Sequence, residues 1–193
     1  MATGGIASGK EAQVASRSRN GAAQWLWLLL VLDPVAALGR QSEAAAALPR
    51  TSVLGRRNPR LIEAVGKAVR KASLKLQEAE CNQVFSDFRD GRGRTLQQNL
   101  QDRGETGQSF LLWLIFYNGD AESVCREART AAATNPGARM VHVCPNQFIL
   151  AQLATPGYAA AFIIHEELHA LGLEENPPTS REITAIVISR CGQ

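Results

Sequence analysis

Five consecutive residues carry the clearest chemical signal in the chain. His165, Glu166 and His169 form the pattern H-E-x-x-H. Side chains four residues apart lie on one face of an α-helix, so both imidazoles can bind one metal ion. Glu166 follows the first histidine and can act as a general base toward metal-activated water. The pattern predicts a zinc centre with His165 and His169 as ligands and Glu166 as the catalytic residue.

A catalytic zinc ion takes a third protein ligand, and the sequence offers three candidates. We prefer Glu182, because it falls early in a predicted helix that can return beside the histidines. Glu175 is the alternative, at the end of H-E-x-x-H-x-x-G-x-x-E, where Gly172 lets the chain turn back. His142 is the third candidate and lies in a predicted strand. Glu182 also fits a helix-capping box that begins at Thr179, and this interpretation stays open.

Helices and a small sheet must position these residues. Apolar periodicity and composition predict helices over 60–80, 121–133, 145–154, 158–173 and 180–191, with brief helices over 81–88 and 96–100. Two short apolar runs, 110–117 and 140–144, predict strands. The expected fold class is α+β, a small mixed sheet packed with helices, in which the active-site helix precedes a C-terminal helix.

The first 39 residues have the composition of a targeting segment. Arg17 and Arg19 precede the apolar run 25–32, and Ala37 and Gly39 suit the positions before a cleavage site. We therefore predict a signal peptide over 1–39, with an uncleaved signal anchor as the alternative. Residues 40–59 lack periodicity and predict a flexible lead-in. The domain then occupies residues 60–193.

Composition and cysteine usage narrow the class of protein. The chain has 193 residues, 45% of them hydrophobic, which suits one ordinary domain. Its net charge of +3 is too small to indicate a basic surface that binds nucleic acid. All four cysteines follow the predicted leader: Cys81, Cys125, Cys144 and Cys191. An even number in an exported chain predicts two disulfides of open connectivity and a secreted or periplasmic location. No stable membrane association is expected if the signal is cleaved.

The segment 163–191 resembles the zincin metallopeptidases, whose active-site helix carries H-E-x-x-H. A ligand set of two histidines and Glu182 is similar to the gluzincin branch, where the glutamate comes from a following helix. The segment through Gly172 also resembles the metzincins, with Glu175 where they place histidine or aspartate. However, no methionine follows Met140, which departs from the metzincin pattern. Residues 164–184 are similar to a segment of short exported bacterial proteins.

The resemblance implies an exported zinc-dependent metallopeptidase that hydrolyses peptide bonds, with Zn²⁺ as cofactor and a peptide or protein as substrate. In zincins a strand borders the cleft and pairs with an extended substrate, and 140–143 or 110–117 are the expected strands. The alternative function is a non-catalytic, metal-stabilised binding domain, anchored in a membrane if the N-terminal segment is not cleaved.

Overall fold

The structure is a computed structural model that describes residues 51–192. The predicted signal segment, 1–39, and residues 40–50 of the predicted lead-in lie outside the described residues. The rest of the lead-in is not structureless, because Val53–Leu54 form strand β1. Pairing with a later strand gives this segment the regular structure that its composition did not predict.

Helix α1, Pro59–Lys75, confirms the amphipathic prediction for this part of the chain. The side chain of Asn58 accepts a hydrogen bond from the backbone N–H of Leu61 at 3.1 Å, and Pro59 occupies the first turn. The apolar stripe expected from the sequence is buried: Leu61, Val65, Val69, Ala72 and Leu76. Burial of this stripe anchors α1 to the core.

Four short helices follow α1. They are α2 (Ala79–Asn82), α3 (Val84–Asp87), α4 (Leu96–Asp102) and α5 (Gly107–Leu111). The first three agree with the predicted brief helices, whereas α5 overlaps the strand predicted over 110–117. Thr106 and Ser109 form a reciprocal cap that starts a helix here, and Phe110 and Leu111 then enter the core from that helix. Only the second half of the apolar run becomes a strand.

The sheet has four strands in the order β1-β2-β4-β3. The later strands are β2 (Ile115–Asn118), β3 (Ala132–Ala133) and β4 (Met140–Val143). Strands β1, β2 and β4 are parallel, and β3 pairs antiparallel with β4. Phe116, Val141 and Val143 are buried on the core side of this mixed sheet.

The helix predicted over 121–133 does not form. The structure instead has a 3₁₀ turn at Ser123–Arg126 and then β3. Residues 120–130 are all exposed or half-buried, so no apolar face is present to stabilise a helix by packing. A disulfide between Cys125 and Cys144 holds this turn beside the end of β4.

Three helices complete the fold and confirm the predictions for the C-terminal part. They are α6 (Pro145–Ala154), α7 (Pro156–Ala170) and α8 (Ser180–Cys191). Helix α7 packs against α1, α6 and α8, and twelve of its fifteen residues are buried. A second disulfide joins Cys81 in α2 to Cys191 at the end of α8. Within residues 51–192, none of the helices has the length and apolar character needed to cross a bilayer.

Candidate metal centre

Helix α7 places the two histidines of the motif side by side. The Nε2 atoms of His165 and His169 are 3.0 Å apart, and the exposed fractions of the two residues are 4% and 5%. This arrangement follows from the helical repeat, since one turn separates residues i and i+4. Burial and, to a smaller extent, the nearby His169 lower the pKa of the His165 ring to about 3. His165 is therefore neutral at ordinary pH, which is the form that binds a metal.

The turn after α7 brings Glu175 to the histidines. One carboxylate oxygen of Glu175, Oε1, lies 3.2 Å from Nε2 of His169 and 3.7 Å from Nε2 of His165. Gly172 has φ +108° in this turn, a conformation that a residue with a Cβ atom rarely adopts. The two Nε2 atoms and the carboxylate oxygen lie within 4.8 Å of one another, a spacing suited to a single ion.

The other ring nitrogens of the histidines have their own partners. Nδ1 of His169 lies 2.8 Å from the backbone oxygen of Leu173, and Nδ1 of His165 lies 2.9 Å from the Thr184 hydroxyl on α8. A carbonyl oxygen can only accept, so Nδ1 of His169 donates this hydrogen bond, and the Nε2 of the same ring faces His165 and Glu175. Such contacts orient the ligands of a metal site.

Glu166 lines the same cavity as the three potential ligands. This cavity has a volume of ≈ 420 Å³. Glu166 is 4% exposed, and its Oε2 has no hydrogen-bond partner among the described residues. The pKa of its carboxyl group is raised to about 8, chiefly by burial, with an opposing effect of the nearby Thr134 side chain and a smaller contribution from the charge of Glu175. A cation bound in the cavity would favour the ionised carboxylate, which is the form a general base requires.

The next residue, Glu167, is a second buried acid on α7. It is fully buried, and neither of its carboxylate oxygens has a hydrogen-bond partner in the described part of the chain. Burial raises the pKa of Glu167 well above that of an exposed glutamate. Glu166 and Glu167 are thus both buried, but of the two only Glu166 lines the cavity.

The structure does not bring Glu182 to the histidines, which corrects our preference for it as the third ligand. Its Oε2 accepts hydrogen bonds from the backbone N–H and the hydroxyl of Thr179, both at 2.8 Å, in the capping box of α8. The backbone donation is the larger cause that lowers the pKa of Glu182, and the group is exposed. The open N–H groups at a helix start attract this carboxylate locally. Glu175 is the candidate that remains.

His142 is also separate from the candidate centre. It lies in β4, where its ring meets the edge of the Tyr117 ring and its Nδ1 is 3.9 Å from a carboxylate oxygen of Glu122. The three ligand atoms that converge in the described part of the chain belong to His165, His169 and Glu175.

The strand beside the cavity differs from both expected strands. Strands β2 and β4 each have a neighbour on both sides, so neither offers a free edge in the described sheet. Ala132 and Ala133 of β3 lie at the sheet edge and line the cavity. Sequence analysis missed β3 because two alanines within a charged segment do not form a recognisable strand pattern.

Thr184 is the other residue that sequence analysis missed. Thr184 directly follows the buried Ile183 and so lies at the border of the α8 face that packs on α7. The position of Thr184 next to Ile183 is the feature of the sequence that could have indicated this. Glu182 borders the same face on its other side.

The donor set and its surroundings fit a transition-metal ion. Two buried imidazoles and one carboxylate oxygen converge, and the partners of both Nδ1 atoms leave the Nε2 atoms facing the centre. Comparison with protein-family models, curated proteins and solved structures finds no match to the chain.

Proposed function

We propose that the protein is an exported zinc-dependent metallopeptidase. The observation that carries this proposal is the convergence of His165, His169 and Glu175 on one point of a cavity that Glu166 also lines. Two histidines and a glutamate form a known ligand set of catalytic zinc, in which the fourth position is left open. Zinc at such a site polarises a carbonyl group and increases the acidity of water.

Glu166 is the residue that moves protons in this proposal. Its carboxylate, whose Oε2 has no partner among the described residues, accepts a proton from the attacking water and then returns it to the leaving nitrogen of the cleaved peptide bond. The products are a carboxylic acid and an amine, so one water molecule is consumed and no redox partner is needed. Burial of Glu166 and of both histidines excludes bulk water from these groups and strengthens their electrostatic interactions.

The position of β3 indicates how an extended substrate binds. Ala132 and Ala133 line the cavity from the sheet edge, where backbone N–H and C=O groups can pair with a peptide. Their small side chains leave room for the peptide beside the histidines. We therefore assign the substrate-pairing role to β3 rather than to β2 or β4.

Export is supported by the covalent structure. The two disulfides, Cys81–Cys191 and Cys125–Cys144, indicate an oxidising environment outside the cytoplasm. Together with the predicted leader in residues 1–39, they favour a secreted or periplasmic enzyme.

The test of the proposal is a comparison of Glu166→Gln with Glu167→Gln. Wild-type protein is expected to retain about one zinc ion and to cleave casein in a reaction that a chelator abolishes. Glu166→Gln should retain zinc and lose about two to four orders of magnitude in rate, the usual contribution of a general base. Glu167→Gln is the matched control, because it changes a neighbouring buried glutamate that does not line the cavity. Glutamine resembles the neutral acid that burial favours at Glu167, so the control variant should keep its activity.

The alternative is a non-catalytic domain that binds metal for stability. This function predicts zinc in the purified protein and a chelator-dependent fall in melting temperature, with no cleavage of casein or gelatin by the wild type. Equal rates for wild type and Glu166→Gln would refute the proposed mechanism. Absence of bound metal after reconstitution with zinc would refute both functions.

A further inference from the structure

We propose that Asn99 is a positioning residue for Glu175. Its side-chain amide joins the turn 171–175, which follows α7, to the loop 90–94, and so holds the Glu175 carboxylate at the candidate centre. The inference rests on the ligand set proposed above. Asn99 lies in α4 and does not line the metal cavity. It lines a neighbouring cavity of ≈ 530 Å³ that the same turn borders, so any effect of Asn99 on the centre must pass through the turn.

The amide nitrogen of Asn99 contacts two acceptors. Nδ2 lies 3.0 Å from the backbone oxygen of Leu171 and 3.0 Å from Oδ2 of Asp90. An NH₂ group has two hydrogens and can donate to both, whereas the amide oxygen of Asn99 could donate to neither. The chemistry of the two partners therefore fixes the orientation of the amide. Leu171 directly follows α7, so its oxygen is one of the carbonyl groups left open at the end of that helix.

Asp90 closes its own loop and anchors Asn99 to it. Oδ1 of Asp90 accepts hydrogen bonds from the backbone N–H groups of Arg92 and Arg94, each at 2.9 Å. The hydrogen bond from Asn99 is the largest cause that lowers the pKa of Asp90, so this carboxyl group is ionised at neutral pH. Hydrogen bonds to a charged acceptor are stronger than those between neutral groups. Asn99 is therefore bound firmly to a loop that is itself well ordered by hydrogen bonds.

The same loop packs directly on the turn. A Cβ atom added at Gly172 would lie 3.3 Å from Cβ of Asp90. A Cβ atom added at Gly91 would overlap the carboxylate of Glu174, the residue before Glu175. The loop thus touches the turn on both sides of its middle, and Asn99 adds hydrogen bonds to both partners of this contact.

Loss of the Asn99 amide removes one of two supports of the turn. The backbone N–H groups of Gly172 and Leu173 still donate to carbonyl oxygens of α7, so the turn itself remains formed. The link to the loop is what disappears, and the Glu175 carboxylate must then be ordered when the ion binds. Such ordering costs free energy, and a residue that orients a metal ligand typically contributes a factor of 10–100 to metal affinity.

The experiment measures zinc affinity by chelator competition for wild type, Asn99→Ala, Glu175→Gln and the double variant. Asn99→Ala should lower the affinity of the wild type about 10–100-fold. In the Glu175→Gln background it should have little further effect, because the carboxylate that Asn99 positions is absent there. A loss of the same factor in both backgrounds would overturn the inference, since Asn99 would then act on the fold and not through Glu175. Equal affinity of wild type and Asn99→Ala would also overturn it.

Hydrogen exchange of side-chain amides tests the same link in wild type. If the contacts of Asn99 favour zinc binding, zinc must favour those contacts by the same factor. Exchange of the Asn99 Nδ2 hydrogens should therefore slow about 10–100-fold when zinc binds. Asn118 is the matched control, because its amide donates to the backbone oxygen of Arg56 at 2.7 Å, in the sheet. Unchanged exchange at Asn99, or equal slowing at Asn118, would overturn the inference even if Asn99→Ala does not fold.

None of these measurements uses a substrate, so this inference and the peptidase activity can fail separately. A wild type that binds no zinc would overturn the metal site and this inference together. Zinc binding with the expected affinities of the four proteins, but without cleavage of casein, would support the role of Asn99 and refute the peptidase.

Discussion

At the scale of single residues, the position of one carboxylate distinguishes the two candidates for the third ligand of the proposed metal site. Glu175 and Glu182 are seven residues apart, and each was a candidate for the same role. Glu175 Oε1 lies 3.2 Å from His169 Nε2, while the carboxylate of Glu182 accepts hydrogen bonds at the start of α8. The capping box that the sequence offers Glu182 and Thr179 forms in the structure.

The two glutamates offer a direct test of this assignment. Glu175→Gln should lower zinc affinity by more than about 100-fold, because losing a ligand should exceed the 10–100-fold effect of losing a residue that holds one. Glu182→Gln is the matched control. It should bind zinc like wild type, since glutamine can still serve in a capping box.

Zinc affinity measured by chelator competition on both variants decides the question. If Glu182→Gln alone loses zinc, the ligand assignment made from the structure is wrong. If neither variant does, the carboxylate at 3.2 Å from His169 does not contribute to metal binding.

At the scale of elements, α7 is a core helix that also carries the candidate centre. Most of its residues are buried, including both histidines and both glutamates of the motif. It packs against α1, α6 and α8, so the helices around it hold the two histidines in place. Changes that weaken this packing should affect the site through α7.

Two glycines in helices test how tightly these elements pack. At Gly66 in α1, an added Cβ would meet only the end of the flexible Arg70 side chain, at 3.4 Å. Gly66→Ala should therefore raise the free energy of unfolding by about 0.5–1 kcal/mol, through the higher helix propensity of alanine. At Gly107 in α5, an added Cβ would overlap the ring of Phe85, which is fully buried. Gly107→Ala should lower the free energy of unfolding by about 1–3 kcal/mol, the usual cost of overpacking.

Urea unfolding of the two variants beside wild type measures both effects. The two substitutions should change the free energy of unfolding in opposite directions. Each is a control for the other, because glycine is replaced by alanine at both positions. Stabilisation by Gly107→Ala would show that Phe85 does not pack on α5 as described.

At the scale of the whole molecule, two disulfides connect parts of the chain that are distant in sequence. Cys81–Cys191 joins residues 110 apart and ties α2 to the end of α8. Cys125–Cys144 joins residues 19 apart and ties the 3₁₀ turn to the residue after β4. The first closes much of the described domain, and the second supports the side of the cavity formed by Val124 and Glu127.

The lengths of these loops predict unequal effects on stability. On the chain-entropy account, removing Cys81–Cys191 should cost about 5 kcal/mol and removing Cys125–Cys144 about 3 kcal/mol. Paired serine substitutions and thermal unfolding measure the two costs, with each pair serving as the control for the other.

Free-thiol titration of denatured, unreduced wild type should find no thiols. Four reactive thiols would refute both bonds, and a larger cost for the 125–144 pair would contradict the entropic account.

Local patterns determined most of the helical framework and the centre of the site. The apolar stripe of α1, the helices α4, α6, α7 and α8, and strand β4 agree with prediction because periodicity, caps and turn residues act within a few neighbours. The pairing of His165 with His169 was equally predictable, since it depends only on the helical repeat. Two disulfides were predicted from the cysteine count, and both are present.

Only the tertiary structure decided the features that depend on distant contacts. The segment 121–133 has helical composition, but no core surface is available to pack it, and part of it pairs with β4 as β3. The cysteine pairing depends on which elements meet, and four cysteines allow three connectivities. The position of Glu175 beside the histidines depends on the turn through Gly172 at φ +108°, and the contact of Thr184 with His165 depends on the packing of α8 against α7. The cysteine pairing, strand β3 and the contact of Thr184 arise from packing between segments that are apart in the chain, which no local pattern of residues contains.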